Sequence, residues 1–497
     1  MVNARQGFRT ECLVLLLALA VLTAVASGRG AEYDEQYTLF LTSGIPRPSW
    51  PADIMPAGMV SGLQAGHAGS LQIAQDLRAT DVHPPLYFWA AGLWRSVLGG
   101  GLFTLRLLSA ACALAALALV GRIGRQIGVP PALAMVLTLG CYGFAYTGGI
   151  ARGFALAQCL TLAGLTCALR PGNGARRDWM AGTLLGGAVL ANYLAVFAAG
   201  VLVLFCPVAS RRHWLVRLAG FLPPVALAGW FFIAQRGTRD GQFPPFEWLP
   251  ALARLAGYAA ASVTGGLALY APAGARLPIA AGLILVLTML AGLIAARWRS
   301  VAARPIRWLL LLAMIAPPLG LLGLGVVFNT TPIELRYLSF ATPFLALLVA
   351  GAVRGLRLRA LVLTVTGAVQ AAAIAGLILR PETMQPSRAT ARSAAALAGD
   401  GITLLPRGND GVGLVGAFMI EAPPDLPVLL VGPDESPDAI RGRAGAFPRV
   451  VLALLAQDGA SKAEVASMRA AFTHPDWRQA AIGFNVAVYE RTEPLQR

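Results

Sequence analysis

Apolar runs of about 20 residues recur along this chain, and nothing else in it narrows the fold so sharply. A run of that length in a bilayer must close its own backbone hydrogen bonds, so it becomes a helix. The predicted spans are 12–29, 103–121, 131–150, 153–169, 179–193, 194–210, 214–234, 277–296, 307–328, 337–353 and 358–379. The stretch 179–210 is too long for one crossing and reads as a helical hairpin. Composition agrees: 57% of the 497 residues are hydrophobic and 13% are charged, against about 25% charged in soluble domains. The expected fold class is mostly α, a polytopic transmembrane helix bundle of eleven spans followed by a small α/β domain.

The net charge of +16 is almost entirely arginine, with Lys462 the only lysine. Such a balance can mean nucleic acid, but the positions of the arginines exclude that partner. Residues 1–379 hold 28 arginines and 11 acidic residues, whereas 380–497 hold 12 basic and 13 acidic residues. Threaded from a cytoplasmic N-terminus, every second loop is short and arginine-rich: Arg122/Arg125, Arg170/Arg176/Arg177, Arg211/Arg212/Arg217, Arg297/Arg299/Arg304/Arg307 and Arg354/Arg357/Arg359. That is the pattern of cytoplasmic connections in a multi-pass membrane protein. The opposite side collects Glu32, Asp34, Glu35, Asp53, Asp76, Asp81, Asp240, Glu247 and Glu334. An odd number of spans places the C-terminal domain outside as well. Ala24-Val25-Ala26 would suit a signal peptidase, but the following bundle favours a retained first span.

Counting His83–Gly99 as a span would turn every later arginine cluster outward. It is therefore expected to be a helix lying along the outer interface, with Tyr87, Trp89 and Trp94 at headgroup depth and Arg95 snorkelling. Residues 1–379 then form the membrane module with external loops 31–102 and 235–276, the second holding an amphipathic stretch from Trp248 to Ala268. The tail 380–497 alternates β-like runs (Val428–Val431, Val450–Leu455, Val486–Tyr489) with a helical stretch, Ser461–Phe472.

Several outer residues are of types that carry chemistry. Asp34-Glu35 follows the first span; two carboxylates there would deprotonate a hydroxyl or help to hold a divalent metal ion, or else cap a helix. Asp81-Val82-His83-Pro84-Pro85-Leu86-Tyr87 opens the interfacial helix through a rigid proline entry. Arg152 and Arg336-Tyr337 are outer arginines that run against the charge bias. A guanidinium fork suits a phosphate there, or pairing with Glu334 or lipid headgroups. Asn192-Tyr193 sits at the tip of the hairpin, where an asparagine also serves a turn.

Other chemistries find little support. The six cysteines all lie in apolar segments, with neither a disulfide framework nor zinc spacing. No acidic residue or histidine lies mid-span, where ion-coupled transporters need one. No phosphate-loop motif is present. An external enzyme without nucleotide needs an activated donor already in the membrane, and a polyprenyl-linked substrate meets that need.

The ordered set Asp34-Glu35, His83-Pro84-Pro85-Leu86-Tyr87, Ala151-Arg152-Gly153-Phe154-Ala155-Leu156, Asn192-Tyr193 and Arg336-Tyr337-Leu338 resembles the GT-C glycosyltransferases. The similarity spans roughly 10–350, to the branch with the dolichyl-phosphate-mannose protein mannosyltransferases and the bacterial aminoarabinose lipid A transferases. It implies a polyprenyl-phosphate-sugar donor and inverting transfer to a lipid, glycan or protein acceptor. It also implies Asp34 at the catalytic acidic position with Glu35 beside it, and Arg152 and Arg336 facing the donor phosphate. His83 matches a substrate-side loop, and Asp81, Tyr87, Asn192, Tyr193 and Tyr337 are counted with the binding residues. Some members of the family engage a divalent metal; no dedicated metal cluster stands out here. Arg152-Gly153-Phe154 departs from the commoner Arg-x-Tyr, and Asn192-Tyr193 from the frequent His-Tyr. The alternative is a flippase or transporter of polyprenyl-linked substrates without chemistry.

Overall fold

The computed structural model describes residues 2–170, 174–238 and 243–492. Asp240 and the side chain of Arg5 lie outside the described residues. Among the described residues seven helices are long and apolar enough to cross a membrane: Gly7–Gly28, Leu102–Ile127, Arg211–Ala234, Ala273–Ala296, Arg304–Phe328, Leu335–Ala352 and Arg359–Leu379. They coincide with seven of the eleven expected spans. The other four fall on shorter helices: Pro131–Gly140 with Tyr142–Gly148, Phe154–Ala168, Ala175–Ala191 and Ala195–Phe205. Cys141, extended at φ −65° and ψ 118°, breaks the first of these. The chain is a multi-pass membrane protein.

The packing of the first helix shows the bilayer as the missing neighbour. Val14, Ala18, Leu22 and Val25 follow one face and are buried, while Leu13, Leu16, Leu17 and Leu19 are exposed. A water-facing helix would carry polar residues on its unpacked side; here both sides are apolar.

The contacts divide the chain into two compact units. One comprises Met1–Gly28, Leu77–Ala90 and Leu105–Arg380; the other comprises Arg29–Asp76, Ala91–Thr104 and Pro381–Arg497. The boundary thus runs through the loop 31–102, most of which belongs with the tail.

In the first unit the two acidic residues expected on the inner side are both paired. Glu11 binds Arg125. Asp178 is buried between Arg217 at 2.9 Å and His213 at 2.7 Å, and Arg217 also donates to the Cys206 carbonyl at 2.8 Å. A buried carboxylate is tolerable because each oxygen has a charged or polar partner.

The second unit contains a six-stranded sheet: β1 (Met55–Pro56), β2 (Ile402–Pro406), β3 (Pro427–Val431), β4 (Arg449–Ala453), β5 (Trp477–Gly483) and β6 (Val486–Arg491). The order is β1-β3-β2-β4-β6-β5, with β3, β2 and β4 parallel and the rest antiparallel. Alternate residues feed two cores. Leu405, Val428, Leu430 and Val451 face the helices Ser387–Ala398 and Gly413–Met419. Leu404, Leu429, Val450 and Leu452 face the helices Pro437–Ala444 and Gly459–Phe472. Covering on both faces explains the unbroken apolar runs of the parallel strands.

The segment 83–99 becomes a helix of 13 residues, Leu86–Leu98, about 20 Å long at the usual rise and too short to span. Arg95 differs from the snorkelling expectation. It is buried, and its guanidinium bonds the carbonyls of Gly66 and Gln64 and the hydroxyl of Thr42. Unpaired loop carbonyls draw the cation inward because otherwise they would be buried without partners.

Candidate active site

The Asp81 segment folds on itself for local reasons. The helix Ser70–Thr80 ends, and Asp81 Oδ1 accepts from its neighbour's amide, Val82 N, at 2.6 Å and lies 3.0 Å from His83 Nδ1. Such side-chain turns are a common habit of aspartate. Pro84 keeps His83 out of the helical region, and Trp89 N to Pro85 O at 2.9 Å begins the next helix.

Arg152 comes from the turn between Tyr142–Gly148 and Phe154–Ala168. Its Nη2 lies 2.8 Å from His83 Nε2. It also lies 2.9 Å from His83 Nδ1, so the guanidinium sits against both ring nitrogens. The guanidinium also lies 5.6 Å from the Phe88 ring centre. Asp81 and Arg152 are buried, whereas the His83 side chain is 25% exposed and is the member of the trio that solvent reaches. Burial alone would push the Asp81 carboxyl upward. His83, then Arg152 and the Val82 amide, outweigh that and hold it well below the usual carboxylate range.

The same turn meets the Arg336 segment. Phe154 stacks on Tyr337 with centres 6.0 Å apart and also touches Phe340 at 6.1 Å. Gln158 donates to Thr147 and Ser339 hydroxyls, each at 3.1 Å. This accounts for phenylalanine where Arg-x-Tyr is commoner: position 154 is buried in an aromatic cluster. Arg336 is half-buried beside the Tyr337 ring. Glu334 is taken by a different cation, Arg254, which also bonds the Ile333 carbonyl at 2.8 Å.

Gly153 makes the turn possible. An added Cβ would lie 2.3 Å from the Ala191 carbonyl oxygen and 3.1 Å from Tyr87 Cβ. Its φ of −67° is ordinary, so the demand is for space alone. Gly153→Ala is expected to cost about 1–3 kcal/mol through overpacking, read as a lower midpoint of thermal unfolding in detergent; an unchanged midpoint would show that the backbone there yields freely.

Other expected contacts take supporting parts. Tyr87 is fully buried, its hydroxyl 3.2 Å from Ser109, so it braces the helix from inside. Asn192 ends the helix Ala175–Ala191, and its Oδ1 accepts from Leu194 N at 3.1 Å, the turn role open to it from the start. Tyr193 donates to Gln235 at 2.9 Å, and Gln235 in turn donates to the carbonyls of Leu77 at 3.0 Å and His83 at 2.8 Å. Gln235 was not singled out in the sequence, although it is the first polar residue after the apolar run that ends at Ala234. Gln235→Ala would remove a donor from the His83 carbonyl and one of the two donors at the Leu77 carbonyl, which also accepts from Asp81 N, at about 1–3 kcal/mol for such groups. A fall in thermal midpoint is expected, with a rise in protease nicking near His83.

Asp34 and Glu35 belong to the second unit, in the first turn of the helix Tyr33–Ser43. Glu35 is fully buried and its carboxylate accepts from Glu32 N at 3.0 Å, closing a capping box with Glu32. The cap, not a second catalytic carboxylate, is what its geometry serves. Asp34 beside it is half-buried. Among the described residues no group of three or more His, Cys, Asp or Glu side chains is placed to hold a metal ion.

No sequence-family model and no curated protein matches the chain. Solved structures do. The ArnT from Cupriavidus metallidurans in its apo state matches with a TM-score of 0.52 at 13% identity, over 98% of each chain. The same protein bound to undecaprenyl phosphate gives 0.48 at 13% identity, over 96% of this chain and 97% of that one. The arabinofuranosyltransferase AftD from mycobacteria gives 0.42 at 14% identity, over 97% of this chain and 41% of that one. The first likeness shows that the chain shares the fold of that ArnT.

Proposed function

We propose that the protein is a membrane glycosyltransferase that moves a sugar from a polyprenyl-phosphate donor to an acceptor hydroxyl, with inversion, on the extracytoplasmic face of a bacterial inner membrane. The observation that carries this reading is the Asp81–His83–Arg152 cluster in a chain that shares the fold of ArnT. A cation held beside an imidazole that a buried carboxylate fixes is prepared to meet an anion, and it pays no reorganisation when charge develops.

In the proposed step Asp34 takes the proton of the acceptor hydroxyl as its oxygen attacks the anomeric carbon. The bond from that carbon to the phosphate oxygen breaks, and its electron pair leaves with the polyprenyl phosphate. Arg152 and Arg336 stabilise the charge gained by the phosphate, and His83 makes the first contact. A phosphate is a good leaving group, so no separate general acid is required. A single carboxylate working on the acceptor implies one displacement, hence inversion.

The test is transfer by purified protein offered polyprenyl-phosphate sugars and, in parallel, nucleotide sugars, with and without divalent metal. Label should reach an acceptor only from the lipid-linked donors. Equal use of a nucleotide sugar, or movement of lipid-linked sugar across vesicles with no transfer, would overturn the proposal. Labelling of single cysteines at 34, 83, 152 and 336 tests the proposed face; reactivity from opposite sides would end it.

A further inference from the structure

We infer that the C-terminal domain is a socket for the helix that carries Asp34, with Asp410 and Asp458 as positioning residues. The inference rests on the transfer reading above and lies wholly within the second unit.

In open α/β sheets the crevice beyond the carboxyl ends of parallel strands, where successive strands depart to either side of the first, is the usual ligand site. Here β2 is that strand, with β3 on one side and β4 on the other. The loops leaving β2 and β4 are joined: Asn409 N donates to Asp458 at 3.3 Å, and Gly408 N to Glu464 at 2.8 Å. What these loops grip is the chain's own helix Tyr33–Ser43 and the residues after it. The Tyr37 hydroxyl donates to Asp410 at 2.6 Å, and the Tyr33 hydroxyl to Asp458 at 3.4 Å. Arg47 pairs with Asp410, and Trp50 Nε1 donates to the Gly411 carbonyl at 2.6 Å.

The segment is pinned upstream too. Ala31 N donates to Glu421 at 2.6 Å, and Arg388 holds Glu421 at 2.7 Å. Gly413 leaves room for the nearest ring, since a Cβ there would lie 2.6 Å from Tyr33. Tyr33 and Tyr37 are one helical turn apart and share a face. Burial, then Asp410, raises both phenols far above any working pH, so both stay donors. Asp34 follows Tyr33 directly, about 100° further round the helix. The crevice takes Tyr33 and Tyr37 as its ligand and thereby sets the orientation of the carboxylate beside them.

The experiment uses the full-length protein in lipid nanodiscs with Tyr37→Phe, which removes one oxygen, and Asp410→Asn, which removes a charge. Two readouts are taken. Hydrogen exchange should speed up about tenfold or more across Tyr33–Ser43 while β2, β3 and β4 stay protected. Transfer should lose about 10- to 100-fold in kcat, the scale of a small misplacement, with the KM for donor unchanged. Unchanged exchange in the helix overturns the socket. Faster exchange with unchanged kcat overturns the positioning role. If Asp410→Asn also loosens the strands, Tyr37→Phe alone decides on the same criteria. Failure of the transfer reading itself shows separately, as full activity in Asp34→Asn.

Discussion

Asp34→Asn is expected to lower kcat for sugar transfer by about 10²- to 10⁴-fold, the range for loss of a general base, and to leave donor binding unchanged. The substitution keeps the shape of the side chain and the first turn of its helix, where the capping box is made by Glu32 and Glu35. What it removes is the ability to accept a proton from the acceptor hydroxyl as the oxygen attacks. Glu35→Gln should behave differently. Its carboxylate accepts from Glu32 N, and an amide oxygen can still do so. The expectation is a modest loss of stability, about 1 kcal/mol for a cap, with kcat largely kept. Steady-state transfer with each variant, alongside direct measurement of donor binding, checks both. If Asp34→Asn keeps full activity, or if Glu35→Gln is the dead one, the assignment of the base is wrong.

Arg152→Ala should have the second large effect, about 10²- to 10³-fold in kcat, the usual scale for removing one preorganised group from developing charge. Donor affinity should fall with it. Arg152→Lys should not restore the wild type, because a point charge on a flexible stem cannot copy a fork that lies 2.8 Å from His83 Nε2 and over Phe88. A pH signature accompanies the loss. Asp81 has its carboxyl depressed in the fold. Such a group adds stability above its unfolded pKa of about 3.9 and loses it as pH falls through the lower folded value. Arg152 is one cause of the depression, so in Arg152→Ala the folded value rises and acid unfolding should begin at higher pH than in the wild type. Acid titration followed by intrinsic fluorescence reads this directly. Coincident acid transitions in the two proteins would mean that Asp81 and Arg152 do not share charge as the geometry describes.

The pairing of buried parts also shows why some side chains misled. Arg95 and Tyr87 are amphipathic residues on an apolar helix, and such residues ordinarily sit at a membrane surface. Both are buried in the protein here, where loop carbonyls at Gly66 and Gln64 and the Ser109 hydroxyl are their partners. Gln235 was invisible for the opposite reason. A lone glutamine at the end of an apolar run looks like a helix stop, and its three bonds reach residues 42 to 158 positions away. Long-range partners of a single polar group leave no periodic trace.

Hydrophobic run length and arginine placement alone determined that this is a multi-pass helical protein with a separate α/β tail, since the bilayer imposes its rules on each segment locally. The same local logic found the strands Val428–Val431 and Val486–Tyr489 and the helix after Ser461, all fully apolar or strongly periodic. It missed β2, a five-residue strand bounded by a proline, and β5, whose exposed residues carry little pattern. Only tertiary structure could decide that Asp81, His83 and Arg152 meet, that Glu35 is spent on a cap, and that residues 29–76 belong with the tail. Those outcomes depend on which distant donors and acceptors satisfy one another, and a linear pattern of apolar and charged residues carries no record of that choice.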